Sequence, residues 1–83
     1  LAVYPNPTSG EAIITIENLA DSDVEVKLVN ILGAEVMHLF EGNVISNYHS
    51  IDADLSNLEN GIYFISVYAD RKSIVTDKLI LYK

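Results

Sequence analysis

Residues 11–30 read EAIITIENLADSDVEVKLVN, and the two halves of this stretch decide the fold. In Glu11–Glu17, Ala12, Ile14 and Ile16 fall on one face of an extended chain, and Glu11, Thr15 and Glu17 fall on the other. In Val24–Asn30, Val24, Val26 and Leu28 face one way while Glu25 and Lys27 face the opposite way. A side-chain period of two is what a strand with one buried face requires. Between the two lie Asp21, Ser22 and Asp23, whose turn propensity reads as a hairpin loop.

Working outward, Ala2–Tyr4 reads as a short first strand. It runs into V-Y-P-N-P-T-S-G, Val3 to Gly10. Pro5 and Pro7 each fix φ at about −65° and hold Tyr4 and Asn6 in extended geometry. Thr8, Ser9 and Gly10 supply a reversal. Downstream, Leu32-Gly33 predicts a turn with Gly33 at positive φ. Glu35–Phe40 reads as a strand with apolar groups on both faces, and Glu41-Gly42-Asn43 as a break after it. A fifth strand is expected over Ser46–Asp52. Leu55 and Leu58, three apart, predict a single helical or 3₁₀ turn, capped by Asp54 and ended by Gly61. Ile62–Ala69 places Tyr63, Ile65 and Val67 on one face, Asp70-Arg71 makes a tight hairpin, and Ser73–Tyr82 is the last strand.

Short strands parted by turn signals roughly every 8 to 12 residues are the mark of an all-β sandwich or barrel. The expectation is therefore an all-β fold, a seven-stranded immunoglobulin-like antiparallel β-sandwich formed by one domain, residues 1–83. The cysteine pair and core tryptophan of antibody domains are missing, so only the architecture is implied. A hydrophobic fraction of 49% supports a core and excludes disorder. A chain this short buries only roughly 60% of its unfolded surface, which predicts modest stability.

The formal charge is −7, from 12 acidic and 5 basic residues. Nucleic-acid binding needs clustered Lys and Arg, so no nucleic-acid partner is expected, nor docking on an anionic membrane. The lack of cysteine excludes a disulfide scaffold, a thiolate zinc site and a cysteine nucleophile. No apolar run approaches a membrane span and no signal peptide is seen. The chain opens on Leu1, so it is read as a fragment of a longer protein whose export signal lies elsewhere.

No residue is assigned to catalysis, to a cofactor or to a metal. His38 and His49 lack a third ligand at a recognisable spacing and are read as partly exposed strand residues. Asp52 and Asp54 share a strand face, but the calcium-loop pattern is missing. Ser9, Ser46 and Ser56 have no nucleophile motif around them. Asn6-Pro7-Thr8 is no glycosylation acceptor because its middle residue is proline. Tyr63 reads as packing. Tyr4, Tyr48, Tyr68 and Tyr82 are candidates for an aromatic patch, although their spacing does not place them on one surface.

Four blocks then line up in order: Tyr4-Pro5-Asn6-Pro7-Thr8; Val26 to Val36 with Gly33 at its turn; Ile51 to Tyr63, carrying Leu55, Leu58, Gly61 and Tyr63; and Lys78-Leu79-Ile80-Leu81-Tyr82-Lys83. Together they resemble the C-terminal sorting domain of proteins exported by the type IX (Por) secretion system. The resemblance covers essentially the whole chain. It implies a non-enzymatic address label on a cargo protein N-terminal to Leu1. The label would be read in the periplasm by the outer-membrane translocon and its shuttle protein. A sortase-like peptidase would then remove it, leaving cargo at the cell surface or outside the cell. The same resemblance implies a seven-stranded immunoglobulin-like sandwich. Lys78, Leu79, Ile80, Leu81, Tyr82 and Lys83 are the expected recognition strand, lying on a sheet edge open to a partner strand. Edge pairing also leaves room for a dimer. The rival readings are a carbohydrate-binding or adhesion sandwich on a surface enzyme, and a structural spacer.

Overall fold

The computed structural model describes residues 1–83. Seven strands follow along the chain: β1 (Ala2–Tyr4), β2 (Glu11–Glu17), β3 (Ser22–Val29), β4 (Glu35–Val44), β5 (Tyr48–Asp54), β6 (Gly61–Ala69) and β7 (Lys72–Leu81). They form a three-stranded sheet in the order β1-β2-β5 and a four-stranded sheet in the order β4-β3-β6-β7. Every strand pairing is antiparallel. The two sheets pack face to face as the expected immunoglobulin-like sandwich.

The alternation in residues 11–30 places the core. Ala12, Ile14 and Ile16 of β2 stand opposite Ala53, Ile51 and His49 of β5. Val24, Val26 and Leu28 of β3 stand opposite Ala69, Val67 and Ile65 of β6. The apolar residues in these rows are buried, and Leu55, Leu79 and Leu81 complete the cluster. Burying an aliphatic side chain of this size contributes about 1.5–3 kcal/mol relative to leaving it exposed, so this interior is the main stabilising term. At the β4–β5 side, the rings of Phe40 and His49 meet at 4.5 Å between centroids, closing the sandwich across the two sheets. His49 is thus a packing residue.

Register also fixes which loops share an end. Thr8–Gly10, Asn30–Ala34, Leu55–Asn60 and Tyr82–Lys83 gather at one end. Leu1, Asn18–Asp21, Ile45–Asn47 and Asp70-Arg71 gather at the other.

Three expectations are corrected. First, Glu41-Gly42-Asn43 is no break: Glu41, Gly42 and Asn43 pair with Glu25, Val24 and Asp23, and β4 runs on to Val44. Turn-type residues are tolerated because β4 is an edge strand with a partner on one side only. Second, β4 carries register shifts that leave Val36 and Leu39 without a partner on β3. Each bulge inserts one residue and re-phases the strand. Met37 and Phe40, three apart, therefore both stand opposite inward residues of β3, Leu28 and Val26. This is why the segment carries apolar groups at both parities. Third, Asp21 to Asp23 form no hairpin: β2 and β3 lie in different sheets. Asn18 and Asp21, at φ 64° and 65°, turn the chain across, and their amides donate to Asn47 O at 2.9 Å and Val44 O at 2.6 Å. Asp23 belongs to β3. In addition, β5 begins at Tyr48, two residues later than expected, because the Ser46 hydroxyl accepts the Tyr48 amide at 3.2 Å and holds a local turn.

Other turns form as read. Gly33 sits at φ 83°, and the Asn30 side chain accepts the amides of Leu32 and Ala34 at 2.9 and 3.0 Å. Asp70 and Arg71, at φ 51° and 71°, make the two-residue turn whose twist suits a hairpin.

Candidate recognition site

The first and last blocks of the sequence form one structural unit. After Tyr4, the chain leaves the three-stranded sheet and crosses to the edge of β7 in the other sheet. The Tyr4–Pro5 and Asn6–Pro7 bonds are both cis. Neither proline carries an amide hydrogen, so the crossing presents one backbone donor, Asn6 N, at an exposed position. The Asn6 carboxamide takes the place of a peptide group. Its Nδ2 donates to Lys78 O at 2.7 Å, and its Oδ1 accepts from Ile80 N at 3.0 Å. Thr8 then pairs in parallel with Leu81: Thr8 N donates to Ile80 O, and Tyr82 N donates to Thr8 O, both at 2.9 Å. Thr8 is almost fully buried. Its hydroxyl donates to Glu11 O and accepts the Gly10 amide, which folds the reversal.

The third block caps the same end. Leu55 N donates to Gly10 O at 2.6 Å, and Leu58 N to Leu55 O at 3.0 Å, giving the single turn expected there. Leu55 is fully buried and Leu58 partly so. Asp54 Oδ1 accepts the Ser56 amide at 3.0 Å, as a cap should. Hydrogen bonds from the Ser56 hydroxyl and amide hold the Asp54 carboxyl below its ordinary pKa. Gly61 opens β6, and the Tyr63 hydroxyl donates to Glu59 O at 2.6 Å while its ring joins the core. Lys83 N donates to Asn60 Oδ1 at 3.0 Å, and Lys83 Nζ to Ser56 O at 2.9 Å. Gly33 lies at this end too, in the β3–β4 turn.

The six candidate recognition residues therefore divide. Leu79 and Leu81 are core, Ile80 is half-buried, and Lys78, Tyr82 and Lys83 are exposed, Tyr82 at 73%. The expectation of an open edge along this strand is corrected: from Lys78 to Tyr82 the edge is filled by Asn6 and Thr8. Sequence reading missed this because the partners sit at opposite ends of the chain, where no periodicity links them. The open part of β7 is Lys72–Asp77, exposed at every position. Arg71, Lys72, Lys78 and Lys83 are four of the five basic residues, and they fall in two pairs at the opposite ends of β7, Arg71 with Lys72 at its start and Lys78 with Lys83 at its finish.

The remaining candidates do not converge. Tyr4 and Tyr48 lie on the outer strands β1 and β5 of one sheet, Tyr68 is on β6 of the other, and Tyr82 is past the end of β7. Asp52 and Asp54 share the exposed face of β5. His38 lies on the outer face of the four-stranded sheet, within ion-pair distance of Glu35 and Glu41.

Residues 2–82 match the family described as the secretion system C-terminal sorting domain. A curated relative, the ulvan lyase NLR42 of Nonlabens ulvanivorans, is 35% identical over 82 residues, which is 98% of this chain and 14% of that protein. The chain thus spans a small fraction of the relative's length. No solved structure matches it. With the four blocks gathered in one sandwich and the match running almost from end to end, this chain belongs to the family of type IX secretion system C-terminal sorting domains.

Proposed function

We propose that the folded sandwich acts as the export address of a cargo protein joined ahead of Leu1, read at the end of the domain where the opening segment closes on the last strand. The observation that carries the reading is the fourfold backbone and side-chain pairing of Asn6 and Thr8 with Lys78–Tyr82. It builds a rigid surface from residues at both ends of the domain and leaves Lys78 and Tyr82 displayed on it, with Lys83 exposed beside them and its Nζ held on Ser56 O. Leu79 and Leu81 act by anchoring that strand in the core, and the lysines and Tyr82 face the reader. Pro5, Pro7, Gly33, Leu55, Leu58, Gly61 and Tyr63 shape the backbone and core around it. The type IX outer-membrane translocon and its shuttle protein recognise this closed face in the periplasm. A sortase-like peptidase then cuts ahead of the domain, and cargo reaches the cell surface or the medium. Lys78 and Lys83 on an otherwise acidic body suit a partner with acidic groups at the point where it meets them.

The test is a transplant. Residues 1–83 are fused to the C-terminus of a periplasmic reporter in a cell with a working type IX system. The reporter is expected at the surface or in the medium, and deletion of Lys78–Lys83 is expected to trap it in the periplasm. A stable truncated reporter exported at the normal level would overturn the proposal. Lys78→Ala with Lys83→Ala, which spares the core, separates loss of recognition from loss of folding.

A further inference from the structure

The two bulges of β4 have a second effect, on the outer face of the four-stranded sheet. In a regular strand, residues three apart point to opposite faces. Because Val36 and Leu39 are each left unpaired, Glu35, His38 and Glu41 stand opposite Val29, Lys27 and Glu25 and share the outer face. Glu25 and Glu41 are direct cross-strand neighbours, a placement of like charges that destabilises a sheet unless something positive lies between them. One ligand atom each from Glu25, His38 and Glu41 lies within 4.8 Å of the others. His38 Nε2 is 3.4 Å from Glu41 Oε1, close to the roughly 3.4 Å that separates two ligands on a tetrahedral ion with bonds of about 2.1 Å. The other ring nitrogen, Nδ1, faces Glu35 Oε2 at 3.6 Å. A carboxylate behind the ligating imidazole is the arrangement that orients a metal-bound histidine.

From this geometry we infer that Glu25, His38 and Glu41 form a binding site for a borderline divalent cation of the zinc class, with Glu35 positioning the imidazole. The charge fits. Lys27 Nζ reaches Glu25 at 3.4 Å and Glu35 at 3.6 Å, so one ammonium stands against three carboxylates and two negative charges remain for a dication. One imidazole and two carboxylates favour zinc over calcium, which takes oxygen ligands only, and the fourth position is open to water. Such an ion would tie the edge strand β4 to β3. Small domains without disulfides gain most from a clip of this kind. The site is independent of the export reading, since it lies on the face of β3 and β4, away from β7.

The experiment is a calorimetric titration of zinc chloride into the 83-residue chain at neutral pH in a non-chelating buffer. One equivalent is expected to bind. His38→Ala and Glu41→Gln should each weaken binding by about tenfold or more, since even an outer-shell partner is worth 10–100-fold. His49→Ala should leave it unchanged. Circular dichroism of each variant checks that the sandwich is intact, and the His38 ring resonances of the parent should shift with zinc. Binding that survives both His38→Ala and Glu41→Gln, or no binding and no ring shift in excess zinc, would overturn the assignment.

Discussion

The side-chain oxygen of Asn6 accepts the amide of Ile80 at 3.0 Å, across a sequence separation of 74 residues. The same carboxamide donates to Lys78 O, so one short side chain serves as a strand partner for two residues of β7. Asn6→Ala removes both bonds at an exposed edge, at an expected cost of about 1–2 kcal/mol. Urea denaturation measures the loss. Amide exchange at Ile80 should speed up while that at Val26, in the sheet centre, follows only the global change.

Arg71 sits at φ 71° in the second position of its hairpin turn, where an L side chain is strained and glycine is not. Arg71→Gly should stabilise the domain by about 0.5–1 kcal/mol, the relief of left-handed strain less the entropy of glycine. A rise in thermal midpoint checks it. A fall would mean that the arginine side chain makes a stabilising contact.

The lowered pKa of Asp54 carries a pH dependence of definite sign. A carboxyl that ionises more readily when folded adds stability at pH values above its ordinary 3.8, and this is lost as pH falls through the lower folded value. Asp54→Ala should therefore be less stable than the parent near neutrality, and the gap should narrow in acid. Urea midpoints at about pH 7 and about pH 2 give the comparison.

Leu55 and Leu58 come from one short turn but differ in burial, Leu55 being fully shielded and Leu58 partly exposed. Leu55→Ala should cost about 2–5 kcal/mol, a large share of what a domain this size holds, and Leu58→Ala markedly less. Chemical denaturation of both separates the two, and equal losses would contradict the packing described.

Much of the fold was legible in the residues. β2, β3 and β6 were readable because a half-buried strand alternates, and Ile14, Val26 and Ile65 fall where that alternation puts them. Asp70-Arg71 and Leu32-Gly33 were readable because turn chemistry is local. β4 was misread past Phe40, since Gly42 and Asn43 are turn formers by composition and only their pairing to β3 makes them a strand. The bulges at Val36 and Leu39 left no mark beyond an alternation that failed. The closure of the β7 edge by Asn6 and Thr8, and the gathering of Glu25 with His38 and Glu41, depend on register between distant segments. A linear reading contains no signal for either.

The pairing of Asn6 and Thr8 with Lys78–Tyr82 makes each terminus a sensor of the other's integrity. Clip the residues after Asp77, and Asn6 and Thr8 lose their partners while the flank of β6 from Gly61 to Phe64 is stripped of its neighbour. Clip the residues before Ser9, and the outer rim of β7 is laid bare at Lys78, Ile80 and Tyr82. A nick at either extremity therefore produces the same kind of damage, a ragged strand with unsatisfied peptide groups. The closed seam is therefore present only when both edges of the sandwich are intact.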